Sequence, residues 1–171
     1  MLTDTERAML ADPESPRSVD TERGRSLDTE RGTLGRTAAW LAKQVEIGLG
    51  TVDLSLPQYR ILGMLDERSA VSSDLAQQLA VRPPTITAVV DGLVAKGLVE
   101  RRTVAGDRRR VGHVLTDQGH QMLDAADAAV DARLHEITDV LGDPAVTEVA
   151  FRGLAGWRTA LVAYRTARWG R

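Results

Sequence analysis

Gly106-Asp107-Arg108-Arg109-Arg110 places three consecutive arginines directly behind a turn. A short turn cannot bury three guanidinium groups, because each is hydrated too favourably to enter an apolar interior unpaired; the cluster needs water or an anion. The anion that suits such a tip is a phosphodiester backbone. Arginine entering a narrow minor groove meets an enhanced negative potential there, and its neighbours neutralise phosphates. Asp107 opposes an anion unless it pairs with one of these cations, and Arg109 is the expected partner that would shape the turn.

A second set of candidate contacts precedes that tip. From Pro83 to Val94 the apolar positions Ile86, Val89, Val90, Leu93 and Val94 form one helical stripe. Arg82, Pro84, Thr85, Thr87, Ala88 and Asp91 are left on or beside the opposite side. An exposed helix face of this kind is what the major groove, ~12 Å wide, admits. The threonine hydroxyls can donate to phosphates or base edges, and their methyls can meet thymine. Thr87 reads equally well as a partly buried flank of the helix, and Asp91, which repels phosphate, is expected to serve a local polar contact.

The elements that must hold these residues follow from periodicity and punctuation. Ser72 to Leu79 reads as a short amphipathic helix, separated from the Pro83–Val94 helix by a brief turn. After Lys96-Gly97 the pattern is extended from Leu98 to Thr103, turns through Val104-Ala105-Gly106-Asp107 and returns extended from Arg109 to Leu115. Helix, turn, helix and hairpin make a winged helix-turn-helix. Upstream, Leu34, Ala38, Leu41, Val45 and Leu49 share one face of a long helix, and Ser55-Leu56-Pro57-Gln58 opens another. Downstream, Thr116 can cap a helix carrying Leu123, Val130 and Ile137 seven apart with Leu134 and Leu141 beside them. Asp143-Pro144 then starts a last helix with Val146, Val149, Ala150, Leu154, Trp157, Leu161 and Tyr164 at three- and four-residue spacing.

Composition narrows the class. With 43% hydrophobic residues but only three Trp, two Tyr and one Phe, the interior must be built from Leu, Val and Ala, and a mainly α fold with a small β-hairpin wing is expected. The absence of cysteine excludes disulfides, thiolate metal sites and thiol redox sensing. No apolar run approaches the ~20 residues of a membrane span, and Met-Leu-Thr-Asp-Thr-Glu does not resemble a secretory signal, so a cytoplasmic protein without membrane partners is expected. The net charge of −2 hides an uneven distribution: Arg82 to His113 holds seven basic residues against three acidic, whereas Thr116 to Ala150 holds eight acidic against Arg133 alone. An acidic body with a basic edge orients itself on a polyanion.

The expected organisation is a polar extension at 1–26, where Asp-Thr-Glu-Arg stands at 4–7 and 20–23 with a third copy following at 28–31, read as frayed or as one added helix, then a dimerisation helix at 27–52, the winged domain at 53–116, dimerisation helices at 117–166 and a tail at 167–171. The outer helices carry more apolar surface than the small winged domain can cover, which predicts a twofold homodimer with two reading heads side by side.

The chain resembles the MarR family of winged helix-turn-helix transcription regulators over about residues 30–166. The residues that carry the resemblance are Leu56-Pro57-Gln58-Tyr59-Arg60-Ile61-Leu62, Leu75-Ala76 with Leu79, Pro84-Thr85-Ile86-Thr87, Val90-Asp91-Gly92-Leu93, Lys96-Gly97-Leu98-Val99, Asp107-Arg108-Arg109 and Leu115-Thr116. The resemblance implies a dimeric regulator, more often a repressor than an activator, that binds an inverted repeat in double-stranded DNA and is released by a small, often aromatic effector. It also implies minor-groove contact at Arg108 or Arg109. In the family a serine is frequent at the position of Arg82, and arginine is common at those of Ala88 and Gly92, so here more of the specificity would rest on threonine contacts and DNA shape.

An effector would sit where the dimer helices meet the winged domain, with Trp40, Gln44, Tyr59 and Arg60 as candidate lining residues, although Trp40 and Tyr59 read more simply as core. His113, His120 and His135 lack metal-ligand spacing and read as ordinary surface or packing residues, so neither a metal nor a cofactor is expected. No nucleophile and base, glycine-rich phosphate loop or cofactor unit is found, which argues against an enzyme. The alternative function is a winged-helix protein-interaction module without DNA specificity.

Overall fold

Capping chemistry sets where the helices begin in this computed structural model, which describes the backbone of residues 17–104 and 107–169 and the side chains of 33–103 and 111–168. The order is α1 (Arg17–Gly50), α2 (Leu56–Glu67), β1 (Ala70–Val71), α3 (Ser72–Leu79), α4 (Pro83–Ala95), β2 (Val99–Val104), β3 (Asp107–Leu115), α5 (Asp117–Asp139) and α6 (Pro144–Trp169). This is the mainly α, winged arrangement expected, with long helices on either side. Ser55 and Gln58 close a reciprocal capping box at the start of α2, the Ser55 N–H donating to Gln58 Oε1 at 2.9 Å. Pro83 and Pro84 occupy the first turn of α4, where a missing N–H removes no helical bond.

Two compact units divide the chain, Met1–Leu41 and Ala42–Arg171, and α1 crosses from one to the other. The extension anticipated at 1–26 falls partly on residues 1–16, which lie outside the described residues, and partly on the start of α1, which runs unbroken through position 26. Of the tail, 167–169 complete α6.

Within the second unit, Leu49, Ile61, Leu62, Leu75, Ile86, Leu93 and Leu98 are fully buried and form one core with Val90, Val99, Leu123 and Val130. Burial of each such side chain is worth about 2 kcal/mol. The end of α1 belongs to this core: a Cβ added at Gly48 would lie 3.0 Å from the Ala129 carbonyl oxygen, so α1 and α5 meet backbone to backbone. A tighter approach occurs at Gly119, where a Cβ would stand 2.1 Å from Leu98 O. Thr116 holds the same junction, its hydroxyl accepting from Gly119 N–H at 3.0 Å and donating to Gly97 O at 2.7 Å. The first turn of α5 is thereby pressed onto the root of the wing.

The sheet has the order β1-β3-β2, antiparallel throughout, with Arg101 and Ala70 flanking His113 in register. Strand β1, only two residues long, is too short to show an alternating pattern in the sequence. The heptad seam expected along α5 divides: Leu123 and Val130 are buried inside the chain, whereas Ile137 and Leu141 are exposed, as is the adjoining Val140. Helix α2 meets the first half of α5 through Tyr59 with Asp127 and Asp66 with His120. Val149, Trp157 and Leu161 of α6 are also exposed, Trp157 at 65%. Among the described residues no helix is long and apolar enough to cross a membrane.

Candidate nucleic-acid interface

Helix α4 is two-faced, as its pattern requires. Ile86, Val90 and Leu93 are buried in the core and Val89 and Val94 pack against it. Pro84, Thr85, Thr87 and Ala88 are exposed, and Arg82, in the N-cap position with extended backbone, is exposed just ahead of them. Thr85 and Ala88 are three apart and Ala88 and Gly92 four apart, so one side of the helix carries only short side chains and can approach a groove floor closely. Thr87 differs from its expected role in one respect: its hydroxyl donates to Pro83 O at 3.2 Å, within its own helix. That oxygen can therefore accept from a base amino group while its proton is engaged.

The start of α4 is fixed by a turn without glycine. Ala80 ends α3 with φ of 54°, a left-handed conformation that costs an alanine about 1 kcal/mol, and Val81 N–H closes the turn on Ala76 O at 3.1 Å. At the other end, Lys96 Nζ donates to both Asp53 O and Asp53 Oδ2 at 2.8 Å, tying the C-terminus of α4 to the loop behind α1. This contact lowers the Asp53 pKa, chiefly through the hydrogen bond and then through the lysine charge.

The wing rises beside α4 on β2 and β3. Asp107, Arg108, Arg109 and Arg110 belong to the backbone of β3, but their side chains, and with them the expected Asp107–Arg109 pairing, lie outside the described residues. What the sequence did not reveal is how the root of the wing is held to α4. The Asp91 carboxylate of α4 forms an ion pair with the Arg101 guanidinium of β2, and His113 Nε2 of β3 lies 2.9 Å from Ser72 Oγ of α3. Asp91 is the local polar contact anticipated for it, whereas Arg101 and His113 had no signal beyond strand alternation. Burial pushes the His113 pKa down, the Arg101 charge adds to that, and Asp91 opposes it.

Of the candidate effector residues in the second unit, Tyr59 and Arg60 come together and Gln44 lies apart from them. Tyr59 and Arg60 line a cavity of about 370 Å³ between α2, α5 and α6, with Met64, Leu123 and Arg165 among its other walls. The Tyr59 hydroxyl donates to Asp127 Oδ1; burial first, and then that carboxylate, raises the tyrosine pKa. Arg165 pairs with Glu67, and its Nε is buried without a hydrogen-bond partner among the described residues. Gln44 is engaged elsewhere, its Oε1 accepting from Arg133 Nε and Nη2 at 2.9 and 2.7 Å. Trp40, in the first unit, is exposed rather than packed as core. His120 faces Asp66 and His135 stacks on Phe151, and no cluster of metal-ligating side chains occurs among the described residues.

Comparison with known proteins agrees with this geometry. The sequence profile of the MarR family matches residues 52–110. The HTH-type transcriptional regulator FarR of Neisseria gonorrhoeae is 33% identical over 95 residues, 55% of this chain and 65% of that protein, so the chain spans somewhat less than two thirds of that relative's length. The HTH-type transcriptional repressor Rv2887 of Mycobacterium tuberculosis is 31% identical over 100 residues, 58% of this chain and 72% of the repressor. Among solved structures, a mutant of S. aureus MepR bound to an oligodeoxyribonucleotide aligns with a TM-score of 0.55 and 24% identity, covering 77% of this chain and 97% of MepR. CouR from Rhodococcus jostii RHA1 bound to p-coumaroyl-CoA aligns with a TM-score of 0.57 and 23% identity, covering 81% and 90% of the two chains. The two structures share the fold, and the sequence relatives share the family. The chain belongs to the MarR family of winged helix-turn-helix transcription regulators.

Proposed function

We propose that this protein is a cytoplasmic, homodimeric repressor that binds an inverted repeat in double-stranded DNA through α4 and the wing, and that a small molecule releases it. The observation that carries the reading is the two-faced α4, whose apolar stripe is buried while Arg82, Pro84, Thr85, Thr87 and Ala88 remain exposed beside a wing whose sequence holds Arg108, Arg109 and Arg110. In this reading, α4 enters the major groove, its threonines and alanine meeting base edges and thymine methyls, and the wing arginines enter the minor groove and contact phosphate. MepR, solved with an oligodeoxyribonucleotide, offers the precedent for the fold on DNA.

Two reading heads are needed for an inverted repeat, and the exposed apolar residues Val140 and Leu141 just beyond α5 and Val149, Trp157 and Leu161 of α6 supply a surface of the kind that a second copy covers. Residues 27–52 and 117–166 are accordingly the dimerisation helices, and 53–116 the DNA-binding domain. Release by an effector is supported by the cavity of about 370 Å³ beside Tyr59 and Arg60, which lies where α2 of the winged domain meets α5 and α6. CouR, bound to p-coumaroyl-CoA, shows that the fold accommodates a small-molecule ligand.

Selection from random duplexes tests the whole reading. Recovery of an inverted repeat whose half-sites are about one helical turn apart supports DNA specificity and twofold symmetry together. Recovery of no sequence, with no shift of random duplex at low salt, leaves a protein-interaction module instead. Sedimentation of the intact chain should give a dimer, and Leu161→Glu should give a monomer.

A further inference from the structure

The middle strand of the wing carries a histidine with half of its ring unpartnered. His113 is 4% exposed and is the only buried polar or charged side chain among the described residues. Its Nε2 meets Ser72 Oγ at 2.9 Å, but its Nδ1 is buried with no hydrogen-bond partner among the described residues. Beside the ring lies a cavity of about 280 Å³ walled by Ser72, Thr87, Asp91, Arg101 and Val111. The elements packed around it present few charges: β2 offers Arg101, α4 offers Asp91, and α3 offers the Ser72 hydroxyl. Strand β1 is Ala70-Val71, and α2 buries the apolar face Ile61, Leu62, Met64 and Leu65.

This environment suits an uncharged imidazole. A protonated ring has two N–H donors, and the second, at Nδ1, has no acceptor within hydrogen-bond distance among the described residues. Among the described residues the carboxylate facing it is Asp91, already paired with Arg101 in the contact joining the wing to α4. A proton on His113 therefore either draws Asp91 away from Arg101 or drives the ring out from beneath α4, and both displace the wing from the reading helix.

We propose that His113 is a positioning residue through which acid loosens the reading head: uncharged, it anchors the root of the wing to α3, and protonated, it uncouples the wing from α4 and weakens DNA binding. The inference rests on the DNA-binding reading above. The direction of the His113 pKa agrees, since burial and Arg101 lower it from 6.5 despite Asp91. With the folded-state value below the unfolded one, the stabilisation is complete above pH 6.5 and is lost as the pH falls from there through the folded value. A histidine acting simply as a phosphate contact would have the opposite sign, gaining a proton and tightening the complex in acid.

The test uses the full chain and His113→Gln, whose amide can keep a bond to Ser72 but does not titrate. Binding to a random-sequence duplex is followed by fluorescence anisotropy at constant ionic strength from about pH 8 to about pH 5.5. Similar affinity near pH 8, with the wild type losing about three- to tenfold more than the variant in acid, is the expected result. Parallel profiles, or a wild type that tightens in acid relative to the variant, overturn it while leaving the DNA-binding reading intact. No binding by the wild type at any pH overturns both. If His113→Gln does not fold, the wild-type ring is titrated by NMR: the His113 resonance should move below pH 6.5, and a midpoint at or above that value overturns the inference.

Discussion

Asp91 on α4 and Arg101 on β2 form an ion pair that fixes the reading helix to the root of the wing. Both side chains are about half exposed, so the pair adds little to folding stability; what it joins is α4 to the hairpin beside it. A double-mutant cycle of Asp91→Ala and Arg101→Ala should show a coupling of under about 1 kcal/mol in urea unfolding. In DNA affinity the same cycle should be non-additive, because either substitution alone frees the wing. Strict additivity in affinity would mean that helix and wing dock independently.

Charge at the tip of the wing should act without regard to sequence. Arg108→Ala and Arg109→Ala are expected to weaken binding on specific and random duplexes alike, and each should reduce the slope of log affinity against log salt by about 1. The measurement is a salt titration of the dissociation constant. An unchanged slope in both variants would falsify phosphate contact by the wing.

Two glycines with similar helical settings should respond in opposite directions. A Cβ at Gly92 meets only Gln58 Nε2 at 3.9 Å, an ordinary contact, so Gly92→Ala should stabilise the chain by about 0.5–1 kcal/mol through helix propensity. At Gly119 the added carbon would stand 2.1 Å from the Leu98 carbonyl, and the backbone must move; Gly119→Ala should cost about 3 kcal/mol. Chemical denaturation of the two variants checks both signs.

Alkaline stability should report on Tyr59. Its folded-state pKa is raised above 10.0 by burial and by Asp127, so its contribution is fully present below pH 10 and is lost as the pH rises beyond that. Tyr59→Phe should remove that alkaline loss at a cost of about 1 kcal/mol near neutrality, where the hydrogen bond to Asp127 disappears. Identical stability curves for wild type and variant above pH 10 would show that the hydroxyl is not held as described.

Much of the fold was legible because local signals agreed with one another. Ser55 with Gln58, Thr116 with Gly119 and Asp143 before Pro144 all mark helix starts that the structure contains. The α4 stripe was also readable, since three- and four-residue spacing identifies the buried side without knowledge of what covers it. The effector candidates show the limit. Tyr59 and Arg60 are neighbours in sequence and share a cavity, but Gln44 is engaged by Arg133, 89 residues away. Nothing near Gln44 in sequence announces that partner.

From the amino-acid order alone came the succession of helices and hairpin, the buried side of α4 and the basic character of the wing, because capping, helical period and net charge depend on residues within a few positions of one another. Tertiary structure alone decided that Asp91 meets Arg101, that His113 is enclosed beside Ser72, and that α5 lies against the start of β2 at Gly119. These contacts join residues 10 to 41 positions apart, or backbone to backbone, and arise only when separate elements pack against a common core.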